Sequence, residues 1–181
     1  MAELGFLVTR EIATEVIQEG IFLPWVDHAA FQIECARRQI ALEKSLAHCG
    51  RDIVFDRGIH CLAAYRRVQG LDVVVDTQYG GYDICFVFEP VPLWDNDGIR
   101  YEDPSFTREI NPYVADEYRV NGVQTVIVPF MTTPMQRVEF ILNHLRAARR
   151  GFRMPARSSL HVPAHCGLHV PVRQPLQLQA A

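Results

Sequence analysis

Lysine is almost absent from this chain. Lys44 is the only one in 181 residues, so all but one of its 18 basic side chains are arginine. That scarcity excludes one motif outright. A phosphate loop of the form G-x-x-x-x-G-K-[ST] needs a lysine between a strand and a helix, where backbone N–H groups cradle phosphates. Lys44 is followed by Ser45 but preceded by Glu43, inside a helical stretch, and Gly80-Gly81 precedes a strand rather than a helix. No apolar run approaches the roughly 18 residues that a membrane span needs, and the first residues lack the basic-then-apolar order of a signal peptide. There is no C-x-x-C pair. The five cysteines (35, 49, 61, 85 and 166) are odd in number and scattered, which reads as reduced thiols and a cytoplasmic location rather than a disulfide framework.

What is present fits an ordinary globular domain. Apolar residues make up 49% and charged residues 22%, and the length is enough for one domain with a real core. The net charge of −3 conceals an asymmetry: residues 151–181 hold three arginines and no acid, so residues 1–150 carry −6. Arg146, Arg149, Arg150, Arg153 and Arg157 cluster at the boundary. They read as a solvated helix end, whose dipole favours cations, or as a nucleic-acid or membrane patch. Only Phe152 is interleaved with them, so the expectation is neither nucleic acid nor membrane as a partner.

Apolar runs alternate with helical spacing along residues 1–150. Gly5–Thr9 reads as a strand, and Ile12, Val16 and Ile17 place a helix directly after it. Asp27 is positioned to cap a long helix from His28 to Ala47, with Ala29, Ile33, Ala36, Ile40 and Ala47 as its stripe and Glu34 four residues before Arg38. The strand Asp52–Phe55 precedes a helix over Ile59–Val68. Leu71–Val75 fits a strand or a loop, and Asp76–Gly81 a turn. Tyr82–Phe88 is a buried strand, Val91–Asp103 a polar loop, Pro104–Val120 a helix and Val123–Val128 another buried strand. A last helix covers residues 134–150 through Val138, Ile141, Leu142 and Leu145. Continuous apolar strands alternating with helices indicate an α/β fold, a parallel sheet covered on both faces.

Residues 151–181 differ. Four prolines, three histidines and a short repeat, Leu160-His161-Val162-Pro163 then Leu168-His169-Val170-Pro171, predict an unstructured tail beyond a domain of residues 1–150. His161, His165, His169 and Cys166 have a zinc-like composition, but Pro163 and Pro171 break the helix that would align them.

Four residues could carry chemistry. Asp56 and Arg57 end a buried strand, where open parallel sheets place ligand sites. A carboxylate there can hold Mg²⁺ through water, and the arginine fork can steady phosphate charge. Equally, Asp56 could cap the next helix while Arg57 pairs on the surface. Glu11 follows the first strand in a similar position, as a site residue or as a first-turn glutamate favoured by the helix dipole. Arg100 sits in the loop Trp94–Arg100, which could close over a nucleotide or merely connect two elements.

Taken in order, Thr9–Ile17, Leu23-Pro24-Trp25 with Ala30-Phe31-Gln32, Val54-Phe55-Asp56-Arg57-Gly58, Asp97-Gly98-Ile99-Arg100 and Arg137–Leu142 resemble the AAA/P-loop kinase-like ATPases of the NadR type. The resemblance spans about residues 4 to 146. It implies a P-loop kinase-like sheet, with ATP and Mg²⁺ as cofactors and a small-molecule phosphoryl acceptor. Asp56 and Arg57 would then lie beside magnesium and substrate, Asp56 as the metal ligand, with Glu11 a further catalytic residue and Arg100 a nucleotide-binding lid arginine. It also implies a preceding strand, phosphate loop and helix that the sequence does not contain. The expectation is a truncated domain lacking the central strand, impaired in nucleotide binding and inactive alone. Each buried, unpaired backbone group at the exposed edges would cost about 1–3 kcal/mol, so either the strands close up or a protein partner supplies a strand. The alternative is a protein-interaction module that binds no nucleotide.

Overall fold

The computed structural model describes residues 1–72, 75–79, 81–90, 104–151 and 164–165. Strand β1 (Leu7–Val8) leads into helix α1 (Ile12–Glu19), and a loop carries the chain to the long helix α2 (His28–Leu46). Strand β2 (Ile53–Val54) and α3 (Ile59–Val68) follow, then β3 (Ile84–Phe88), α4 (Pro104–Val120), β4 (Gln124–Val128) and α5 (Pro134–Gly151). Ala164–His165 form a short β5. The elements expected over residues 1–150 are therefore present, with strands shorter than the apolar runs suggest, whereas β5 falls within the tail expected to be unstructured. The alternative strand at Leu71–Val75 and the loop Val91–Asp103 lie partly or wholly outside the described residues.

All strand pairings are parallel. β1 pairs with β2 in the register Leu7↔Ile53 and Val8↔Val54. β3 pairs with β4 from Ile84↔Gln124 to Phe88↔Val128, and β5 lies on the other edge of β3. The order is thus β1-β2 in one group and β4-β3-β5 in the other.

Alternation along β3 divides the interior in two, as strand geometry requires. Cys85 and Val87 join a large cluster with Val54, Phe31, Tyr65 and Tyr118, formed on α2, α3 and α4. Ile84 and Phe86 face the opposite way, against Val128 and Ile141 of α5. Both faces of β3 are buried, as a parallel sheet demands of a covered strand.

Two expectations about the burial of individual elements need correction. Helix α2 begins where Asp27 predicted, with Asp27 Oδ1 accepting from Ala30 N at 2.9 Å. Its buried face, however, carries Phe31, Gln32, Cys35, Ala36, Gln39 and Glu43, while Ile33 is 53% exposed. Polar side chains fill much of the inward stripe because they hydrogen-bond there, so hydrophobicity alone finds only part of that face, Ala36 and Ile40. Similarly, β4 is a half-exposed edge strand rather than a buried one, with Val128 its only fully buried residue.

Cys35, Cys49 and Cys85 are free thiols, as expected. Cys61 differs: it is disulfide-bonded, where the sequence reads as reduced thiols. No helix among the described residues is long and apolar enough to cross a membrane.

Candidate functional site

The parallel register of β1 and β2 brings their carboxyl ends side by side. Thr9 N donates to Val54 O at 2.9 Å, so Glu11 and the Asp56-Arg57 pair leave the sheet at one place. Glu11 takes an extended backbone as the N-cap residue of α1. There its carboxylate lies at the positive end of the helix dipole. One oxygen, Oε2, accepts from Thr14 Oγ1 at 2.7 Å. The other, Oε1, lies 2.8 Å from Arg57 Nε. Arg57 also donates from a terminal nitrogen to Tyr65 Oη at 3.0 Å, and its guanidinium carbon stands 5.1 Å from the Tyr65 ring centre. Two groups distant in sequence are thus brought together, with the exposed Asp56 beside them. Arg100 lies outside the described residues.

Beneath this pair is a thiol that the sequence reading did not single out. Burial pushes Cys35 up to about 12, against the opposing pull of Arg57 and Arg38. A thiol so shifted stays protonated and unreactive at neutral pH. Helix α1 is fastened to α2 by charge. Glu34 accepts from Arg37 and from Arg38, and Arg38 reaches across to Glu19. The bonds from Arg37 and Arg38 hold Glu34 down at about 2.

A buried polar network supports the turn that presents Asp56 and Arg57. Tyr82 Oη accepts from Ile59 N, the first residue of α3, at 2.7 Å. It donates to Glu43 Oε1 at 2.6 Å, and Gln39 Nε2 donates to the same oxygen at 2.7 Å. Glu43 is fully buried, and its Oε2 has no hydrogen-bond partner among the described residues. Burial pushes Glu43 up to about 7, with the bonds from Tyr82 and Gln39 acting in the opposite direction. Burial and the charge of Glu43 raise Tyr82, so its hydroxyl remains a donor. The His60 ring packs edge-on against Tyr82 at 5.3 Å and Tyr118 at 5.0 Å. The sequence held one sign of this network, Gln39 and Glu43 at i,i+4, and it was missed.

The class these features define is a parallel α/β domain with a charged site at the carboxyl ends of adjacent strands, the usual position for a ligand in such sheets. A family model described as an AAA domain matches residues 1–137, and the chain belongs to that family, a P-loop NTPase-like class. Neither the curated proteins nor the solved structures yield a match.

The family suggests nucleotide and Mg²⁺ as cofactors. Asp56 offers the oxygen ligand that magnesium favours, and magnesium keeps several waters, so one carboxylate is compatible with it. No group of three or more His, Cys, Asp or Glu side chains among the described residues could hold a metal by itself. The phosphate side fits less well. With no G-x-x-x-x-G-K-[ST] in the sequence, there is no cradle of this type for a triphosphate. The residues present therefore do not fit an ATP molecule unaided.

Proposed function

We propose that the chain is a kinase-like P-loop ATPase-family domain that keeps the acid and cation side of a phosphoryl-transfer site but holds Mg-ATP weakly. Glu11, Asp56 and Arg57 are its site residues, Asp56 the magnesium-side carboxylate, and the acceptor is a small molecule. The observation that carries this reading is the contact of Glu11 with Arg57 at 2.8 Å, at the carboxyl ends of paired parallel strands. Chance surface pairs do not need two strand ends to converge. Weak binding follows from the missing phosphate cradle. In this reading a lid arginine, Arg100, adds to the nucleotide side.

Calorimetric titration of the full chain with Mg-ATP tests it. The expected dissociation constant is no tighter than about 1 mM, near −4 kcal/mol. Micromolar affinity would overturn the claim of impairment. One observation favours a second reading, an interaction module without nucleotide binding: Arg57 is already engaged by both Glu11 and Tyr65. A sharp cooperative melt that Mg-ATP leaves unmoved even at tens of millimolar would select that reading.

A further inference from the structure

The strands form two hydrogen-bonded groups, yet one buried cluster joins Val54 of β2 to Cys85 and Val87 of β3. The ladders show which backbone groups point where. In a parallel ladder a residue directs both N–H and C=O to one neighbour, and the next residue directs them to the opposite side. Leu7 N donates to Asp52 O and Thr9 N to Val54 O, so Ile53 faces the edge of β2 opposite β1. Glu89 N donates to Val128 O, so Ile84 and Phe86 face the edge of β3 opposite β4. Ile53 is 0% exposed and Phe86 is 2% exposed. Backbone groups buried to that degree require hydrogen-bond partners.

We propose that these two edges are the walls of a single strand-wide slot, and that its occupant is the chain's own segment at Ala164–His165. β5 already lies parallel on that edge of β3, in the register Ile84↔Ala164 and Cys85↔His165. In this register the ladder sets the His165 N–H opposite the Ile84 C=O. Chain length permits the return. α5 ends at Gly151 after packing Ile141 against Ile84 and Phe86. The dozen residues from 152 to 163 can reach up to ~40 Å. A strand seated there and bonded to both walls gives the order β1-β2-β5-β3-β4, one continuous sheet over the shared cluster. It also closes edges that would otherwise recruit other chains. The inference does not depend on nucleotide binding.

Two experiments on the full chain test it. His165→Pro removes the donor opposite Ile84. Amide exchange at Ile84 and Phe86 is expected to accelerate at least tenfold while Val126 and Ile127 stay unchanged, and the variant is expected to self-associate. Unchanged protection at Ile84 and Phe86 in the folded variant overturns the proposal. A photo-crosslinking residue at position 165 of the otherwise native chain covers the case in which the proline variant fails to fold. Crosslinks within one chain to Ile53–Val54 or Ile84–Phe86 support the slot. Crosslinks to a second chain, or to other segments without preference for these strands, overturn it.

Discussion

Arg57 Nε rests 2.8 Å from Glu11 Oε1, while the same guanidinium donates to Tyr65 Oη and covers its ring. The contact ties the end of β2 to the start of α1. Both side chains are about a third exposed or less, so water screens the pair only in part. A double-mutant cycle on Arg57→Ala and Glu11→Ala should give a coupling of about 0.5–1 kcal/mol in urea unfolding. Arg57→Lys should not restore it, because an ammonium cannot serve carboxylate, phenol and ring together. A coupling of zero would mean that the two groups do not meet in solution.

The cap of α2 gives a second expectation. Asp27 Oδ1 accepts from Ala30 N, satisfying one of the donors that a helix start leaves without partners. Asp27→Ala should cost about 1 kcal/mol, and Asp27→Asn much less. Because α2 carries both Cys35 and Glu43, the same loss should appear as faster amide exchange in its first turn. Equal stability of the alanine and asparagine variants would remove the cap from the account.

Most of the fold could be read from the sequence because element type follows local rules. Asp27 marked the start of α2, and α3 and α4 run between the residues their spacing indicated. Periodicity failed where burial is polar: the inward face of α2 holds Gln32, Gln39 and Glu43, which a hydrophobic stripe cannot reveal. It also could not rank β4 as an edge strand, since Val-Ile-Val looks the same at an edge as at a centre. For the site, Asp56, Arg57 and Glu11 were named from their places after strands. Their contact depends on strand pairing, which is nonlocal. Tyr65, Cys35 and Tyr82 went unseen for the same reason, since each reaches its partner only through the packing of one element on another.

Glu43 and Glu34 set opposite pH dependences. Glu43 moves from 4.5 up to about 7 on folding. Below pH 4.5 it is protonated in both states, and its contribution is intact. As pH rises from 4.5 to 7, the unfolded chain releases this proton and the native chain keeps it, so stability falls, by about 3 kcal/mol in all. Glu34 is held at about 2 by Arg37 and Arg38, so its contribution is present above 4.5 and lost as pH drops towards 2. Comparing native protein with Glu43→Gln by urea unfolding isolates the first effect. The two should match near pH 4, and the variant should be the more stable at pH 7. Parallel stability curves across that range would show that Glu43 does not titrate in this window.

Tyr82→Phe tests the support beneath the site. The phenol oxygen both accepts from Ile59 N and donates to Glu43 Oε1, so its removal leaves a helix-start donor and a buried carboxyl short of partners. Such losses cost about 1–3 kcal/mol each, and the ring's own packing against His60 is retained. The expected destabilisation is therefore about 2–6 kcal/mol at neutral pH. Replacing Glu43 by leucine as well removes one stranded partner, and the double variant should be less destabilised than the sum of the single changes. Strict additivity would show that Tyr82 and Glu43 act independently. The start of α3, and with it the placement of Asp56 and Arg57, would then owe nothing to the buried carboxyl.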